Sequence, residues 1–382
     1  MSRDRVIDVS LPSGEGYQIR IGKGALSSIG SKVRDLTDCS KAVVVSDETV
    51  GPAYGKLVKK RLAEVGFEVY DLLVPAGEQS KSLEIAGELA EEMARIGVGR
   101  DDLVVAVGGG VVGDLAGFVA SAYKRGVDFV QVPTSLLAMV DASIGGKTAV
   151  NLEAGKNLFG SFHQPIYICS DIRCLHTLSE EDWANGFGEI VKSAMIAPRR
   201  SFYEWLRDNA DALLEHDEAA LEDVVWRTAD FKAKVVASDE KESGGRECLN
   251  YGHTLAHAIE KAAGYGTVAH GRAVAEGMRF AARLSVEVLD LDPAVVTRQD
   301  ELLDRLGLPE IPWTADPGYL YQIMLSDKKV RNGQVRFVLL HDIARWELVT
   351  VPAETIQEHL AAWCEAKRRL VEKNDGVMWG EE

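Results

Sequence analysis

The chain has 382 residues, 46% of them hydrophobic and 27% charged, the balance of a folded globular protein and too long for one ordinary core, so two domains are expected. A net charge of −16, with no long basic run and no basic-aromatic stripe, argues against a nucleic-acid partner. No stretch approaches the ~18 uninterrupted apolar residues of a membrane span, Met1-Ser2-Arg3-Asp4-Arg5 carries no apolar signal core, and Cys39, Cys169, Cys174, Cys248 and Cys364 stand in no metal spacing, so reduced thiols in a cytoplasmic protein are expected.

The first half alternates strand and helix signals. Ala42-Val43-Val44-Val45, ending at Ser46-Asp47, predicts a strand, as do 67–74, 103–107 and 129–133. Helical periodicity lies between them, as from Leu83 to Ile96. Continuous Val-rich runs alternating with helices indicate a parallel sheet covered on both faces. Gly108-Gly109-Gly110-Val111-Val112-Gly113-Asp114 follows the third strand and opens a helix. Glycines there permit a tight turn and close backbone approach, and the helix N-terminus favours a phosphate. The form G-x-G-x-x-G is weak by itself, and a turn that only packs helix on strand reads the same way. The usual acidic residue about 20 positions on is not clearly present. Asp47 ends an earlier strand instead, so this is not the ordinary dinucleotide arrangement.

Pro133-Thr134-Ser135 follows the fourth strand, and Gly145-Gly146-Lys147-Thr148 and Gly155-Lys156-Asn157 come soon after. The first Gly-Lys element matches the end of a P-loop, but Asp141 stands where that loop needs a glycine, which excludes it. Lysines beside Gly turns and small hydroxyls remain good anion grips, although a lysine is more often a solvated surface charge.

After about residue 180 the texture becomes helical, over 181–197, 200–216, 218–239, 250–263, 271–290, 295–306 and 353–373. Residues 334–340 alternate at first and read as a short strand or hairpin arm. The expected organisation is therefore an α/β domain over 1–180 and a mostly α-helical domain over 181–382. Glu189 sits in the apolar helix Phe187-Gly188-Glu189-Ile190-Val191, where an unpaired charge is expensive. His253 and His257 stand four apart on one helix face, and His270-Gly271 follows. One Glu with two or three His is what a catalytic divalent metal needs; satisfied core or capping histidines would read alike. Lys147, Lys156, Lys192, Lys232 and Arg246 lie in short Gly-marked polar motifs, which points to a metal site within an anion pocket.

Together these motifs closely resemble 3-dehydroquinate synthase, a family of the sugar phosphate cyclases. The resemblance runs through Gly108–Gly117, Tyr123–Gly126, Gln131–Asn157, Gly186–Lys192, Asp239–His257 and His270–Met278, with a weaker continuation in Asp327-Lys328-Lys329 and Gly333. It implies a Rossmann-like NAD-binding domain followed by a helical metal- and substrate-binding domain. By motif, Glu189, His253 and His270 look like the ligands of Zn2+ (or Co2+). Asp47, Glu78, Lys81, Gly110, Val111, Val112, Gly113, Asp114, Thr134, Ser135, Lys147, Lys156, Cys174, Leu175, His176 and Thr177 look like NAD contacts. Arg125, Asp141, Lys147, Asn157, Lys192, Lys232, Arg246, Asn250, His257 and Lys328 look like the substrate shell, with Lys329 able to take the place of Lys328. Two positions depart from the family: Arg272 stands where Glu is common, and Ser135 where a second Thr is.

The reaction implied is that of a carbon–oxygen lyase of the shikimate pathway to aromatic amino acids. It converts 3-deoxy-D-arabino-heptulosonate 7-phosphate to 3-dehydroquinate and phosphate, by transient oxidation with NAD, phosphate elimination, re-reduction, ring opening and aldol closure. A cytoplasmic homodimer acting on a small sugar phosphate is implied, with the arginine matching Arg125 reaching the neighbouring subunit's site. The alternatives are amino-dehydroquinate synthase or another sugar phosphate cyclase, a metal-dependent polyol dehydrogenase, and a degenerate non-catalytic binding protein.

Overall fold

The structure, a computed structural model, describes residues 4–14, 16–242, 244–326 and 334–373. Its strands are β1 (Arg5–Ser10), β2 (Gly16–Gly22), β3 (Lys41–Asp47), β4 (Glu68–Val74), β5 (Leu103–Gly108), β6 (Asp128–Pro133), β7 (Lys147–Leu152), β8 (Gly155–Phe162), β9 (Tyr167–Asp171), β10 (Arg336–Asp342) and β11 (Arg345–Thr350). The helices that matter here are α1 (Leu83–Arg95), α2 (Gly110–Ala122), α3 (Glu180–Ile196), α4 (Glu218–Ser238), α5 (His253–Ala263), α6 (His270–Leu289) and α7 (Ala353–Lys373). Contacts divide the chain into two compact units, drawn from 1–183 with 217–243 and from 184–216 with 244–382. The sheet-bearing unit thus takes up α4, which a single cut near residue 180 leaves with the second half.

The first unit is a seven-stranded sheet in the order β1-β2-β9-β6-β5-β3-β4. All neighbours pair in parallel except β1, which closes one edge antiparallel to β2. The strands read from sequence are β3, β4, β5 and β6, which lie side by side and end at edge strand β4. Val43, Val45, Val104 and Ala106 pack against Leu89 and Met93 of α1, Leu115 and Val119 of α2, and Phe129. Burial on both faces of β3 and β5 is what their unbroken apolar runs encode. Helix α4 starts at an Asp217 cap whose Oδ1 accepts from the Ala220 N–H at 2.8 Å. Arg5 of β1 ion-pairs with Asp223 of α4.

In the second unit α6 is buried nearly all round, so it is the central helix, with α5 and β10 packed against it. The arm expected at 334–340 is β10, paired antiparallel with β11. Among the described residues no helix is long and apolar enough to cross a membrane.

Candidate active site

The second unit brings one carboxylate and two imidazoles to a point. Glu189 lies within α3, while His253 and His270 are the first residues of α5 and α6. Glycines let these elements approach backbone to backbone. A Cβ on Gly188 would stand 2.6 Å from the Gly271 carbonyl oxygen, and one on Gly277 would stand 1.8 Å from that of Gly252. Gly188 precedes Glu189, Gly252 precedes His253 and Gly271 follows His270, so each of the three side chains sits beside such a crossing. Asn185 Oδ1 accepts from the Gly271 N–H at 2.8 Å and fastens α3 to the start of α6.

Glu189 Oε1 lies 3.3 Å from Nε2 of both His253 and His270, and one donor atom from each residue falls within 4.8 Å of the others. A tetrahedral site with bonds of about 2.0–2.1 Å has edges of roughly 3.3 Å. Oε1 is buried and accepts no well-formed hydrogen bond among the described residues, whereas Lys192 Nζ donates to Oε2. A buried carboxylate oxygen aimed at two imidazole nitrogens fits a divalent cation, and the Glu-His-His donor set suits zinc or a similar borderline ion. Both rings are tied at Nδ1, His253 to the Tyr251 carbonyl at 3.2 Å and His270 to Glu260 at 3.3 Å, so both present Nε2. His257 lies one helical turn on, its ring edge-on to His253 at 5.5 Å. The three-donor cluster is Glu189, His253 and His270.

The electrostatics match. Burial works against ionisation of Glu189, but Lys192 and His253 outweigh it and hold the carboxyl well below its ordinary range. Burial likewise disfavours a charged His270, yet its contacts with Glu189 and Glu260 push this imidazole up to about 10. The site is built to hold positive charge.

The first unit gathers the nucleotide candidates at the carboxyl ends of its parallel strands. From β3 the chain moves outward to β4, and from β5 it moves the other way to β6 and β9. Between β3 and β5 lies a topological switch point, where open α/β sheets bind nucleotides. Asp47 ends β3 there and Gly108 ends β5. This explains why the acidic residue precedes the glycine loop rather than following it. Asp47 Oδ1 accepts from the N–H groups of Thr49 and Val50, at 2.8 and 2.7 Å. Val112 is in the core, so the segment from Gly110 to Asp114 offers backbone groups rather than that side chain. At Gly113 a Cβ would stand 2.7 Å from Gln131 Oε1, so a larger residue there would have to shift the end of that side chain.

Lys81 is buried, paired with Asp114 and hydrogen-bonded to Asn157 Oδ1. Burial lifts the Asp114 carboxyl above its ordinary range despite Lys81. Glu78 accepts from Asn151 Nδ2 at 2.7 Å, and Asn151 Oδ1 accepts from the Asn157 N–H at 3.0 Å, so one polar web joins these residues. Ser135 Oγ accepts from the Ala138 N–H at 3.3 Å, and Thr134 is buried beside it. The Cys174 and Leu175 side chains are buried too, which leaves their backbone and Thr177, whose hydroxyl meets Tyr54 at 3.3 Å.

The substrate candidates divide between the units. In the first, Lys232 Nζ of α4 reaches Asp141 Oδ1 at 2.7 Å and its carbonyl at 2.6 Å, and Lys147 pairs with Glu242. Arg125, Asn157 and Glu242 hold left-handed backbone, with φ of 70°, 56° and 56°. Such conformations cost about 1–3 kcal/mol each and concentrate at functional positions. In the second unit Lys192 lies against Glu189, and the short turn Gly245–Asn250 carries Arg246, which is buried, and the half-buried Asn250 just before His253. Lys328 and Lys329 lie outside the described residues.

Residues 71–185 match the sequence profile of the 3-dehydroquinate synthase N-terminal region, and 186–330 match that of its C-terminal region. The chain belongs to the 3-dehydroquinate synthase family. It is 43% identical over 340 residues to the 3-dehydroquinate synthase of Pelobacter propionicus, covering 89% of this chain and 94% of that one. Among solved structures it is similar to 2-deoxy-scyllo-inosose synthase complexed with carbaglucose-6-phosphate, NAD+ and Co2+ (TM-score 0.83, 27% identity, 93% of this chain and 99% of that one). It is equally similar to 2-epi-5-epi-valiolone synthase from Streptomyces hygroscopicus with NAD+ and Zn2+ bound (TM-score 0.83, 27% identity, 92% and 97%). Family membership accounts for the clustered motifs, but three residues of the site were not among the candidates those motifs supplied. Glu260 behind His270, Asn151 behind Glu78 and Asn157, and Glu242 on Lys147 are contacts of the fold. Only Glu260 left a sequence signal, seven residues after His253 on the same helix face.

Proposed function

We propose that the chain catalyses the 3-dehydroquinate synthase reaction, converting 3-deoxy-D-arabino-heptulosonate 7-phosphate to 3-dehydroquinate and phosphate as a homodimer with NAD and Zn2+ (or Co2+). The observation that carries this reading is the convergence of Glu189, His253 and His270 in a chain 43% identical to a curated synthase, against 27% for the solved cyclases of other products.

Glu189, His253 and His270 would hold the metal, which acts as Lewis acid and template for neighbouring hydroxyls. The switch-point loop and the web of Glu78, Lys81 and Asp114 would hold NAD, which takes a hydride and returns it within one turnover. Lys147, Asn157 and Arg125 are assigned to the substrate phosphate. Lys232 and Arg246 are assigned to the carboxylate, where a planar guanidinium suits two-point contact. His257, one turn from His253, is the proton relay candidate. Lys192 keeps Glu189 ionised and its second oxygen occupied.

The test is incubation with the heptulosonate phosphate, zinc and NAD far below substrate concentration, followed by product identification. Complete conversion without accumulating NADH is expected. Stoichiometric NADH would move the chain to the polyol dehydrogenases, and faster cyclisation of glucose 6-phosphate or sedoheptulose 7-phosphate would move it to the other cyclases.

A further inference from the structure

We infer that Glu260 is a positioning residue of the metal centre, its carboxylate holding the His270 ring so that Nε2 faces Glu189. The inference rests on the reading of Glu189, His253 and His270 as metal ligands.

Glu260 is a carboxylate only 7% exposed on a helix whose neighbouring Leu255, Ala256, Ala258 and Ile259 are all buried. A charge in such a place needs a partner that justifies its desolvation. Its Oε1 lies 3.3 Å from His270 Nδ1, while Nε2 of the same ring lies 3.3 Å from Glu189 Oε1. The imidazole therefore spans two carboxylates, one inside the donor cluster and one behind it. With Nδ1–H donating to Glu260, the lone pair resides on Nε2, the nitrogen turned toward the cluster. A histidine ligand is commonly fixed in this manner by a carboxylate on its far nitrogen, which sets tautomer and ring orientation and raises basicity.

The local fold makes the arrangement possible. His253, His257 and Glu260 follow at i, i+4 and i+7, so they share one stripe of α5. Beyond α5 the chain turns through Gly264 and Gly266, at φ of 86° and 93°, and α6 begins with His270. Helix α5 thereby supplies one ligand itself and orients a second one borne by α6. His253 receives its counterpart from the Tyr251 carbonyl, so the two rings are fixed by different acceptors.

A plain helix-to-helix staple would hold α5 to α6 without touching metal affinity, and the two roles separate by experiment. Glu260→Ala and Glu260→Gln are prepared in the full chain, and zinc and cobalt affinities are measured by competition with a chromophoric chelator. The cobalt absorption spectrum and the thermal midpoint in excess chelator are recorded alongside. Glu260→Ala should weaken metal binding about 10- to 100-fold and alter the cobalt spectrum. Glu260→Gln, isosteric and still able to accept from Nδ1–H, should fall between it and the parent. If Glu260→Ala does not fold, Glu260→Gln decides: parental affinity and spectrum overturn the inference, as does a lowered midpoint with unchanged metal binding. Glu189→Gln is the control for the underlying reading. If that variant also keeps parental metal affinity, the ligand assignment itself has failed.

Discussion

A carboxylate as buried as Glu189 stays ionised only where positive charge surrounds it, and this chain surrounds it with Lys192 on one oxygen and two imidazoles beside the other. Removing one donor from a three-ligand site leaves a cation too weakly held and a buried polar cluster uncovered. Glu189→Gln, His253→Ala and His270→Ala should each abolish turnover and bring zinc content after dialysis far below one per chain, read by atomic absorption. Full zinc content and near-normal rate in all three would remove the ligand assignment. The triad was legible because each member sits in a short motif, with Gly188, Gly252 and Gly271 as markers. The contacts that orient it were not. Glu260 meets His270 only after the Gly264–Gly266 turn, and Lys147 meets Glu242 across 95 positions of sequence.

At the scale of elements, the same glycines act as spacers. Gly277 is central in α6, and a Cβ there would stand 1.8 Å from the Gly252 carbonyl oxygen and 2.7 Å from its carbon, backbone that cannot swing aside. Gly277→Ala should therefore force α5 and α6 apart, destabilising by about 1–3 kcal/mol or more and lowering metal affinity through the displacement of His253. Gly87 in α1 is the contrast, since its Cβ would meet nothing within 4 Å. Gly87→Ala should stabilise by about 0.4–1 kcal/mol, and chemical denaturation of both variants, with zinc affinity measured for Gly277→Ala, checks the pair. A Gly277→Ala chain with parental stability and metal affinity would show that the crossing does not set the site. Strands β3 to β6 and most helices were readable because burial leaves an apolar run or a period, whereas buried β9 is five residues long and ends in Cys169-Ser170-Asp171. By contrast β1 and β2, where buried residues mostly alternate with exposed or half-buried ones, gave no apolar run. The β7–β8 ribbon escaped for a related reason. It lies outside the main sheet with β8 largely exposed, and its lysines and glycines read as an anion loop rather than as strands.

At the scale of the molecule, connectivity explains what composition left open. The order β4-β3-β5-β6-β9 puts the switch point between Asp47 and the glycine loop, a placement no linear spacing reveals. The return of α4 to the sheet-bearing unit brings Lys232 to Asp141, although 91 positions separate them. Arg125 is the residue these contacts leave over. It is exposed, follows Lys124 in a second consecutive left-handed conformation (φ 48° and 70°), and its guanidinium makes no hydrogen bond or ion pair among the described residues. Strain held for a side chain that makes no such contact among the described residues suits the proposed dimer, in which Arg125 serves the neighbouring site. The proposal fixes the outcome of a complementation test. Arg125→Ala and Lys232→Ala chains, each inactive alone, are differently tagged, co-expressed, and purified as the doubly tagged hybrid. If Arg125 acts across the interface, one of the two sites combines an intact Lys232 with the other chain's intact Arg125, and half the parental activity returns. If Arg125 acts within its own subunit, each site of the hybrid carries one lesion and activity stays at the level of the single variants.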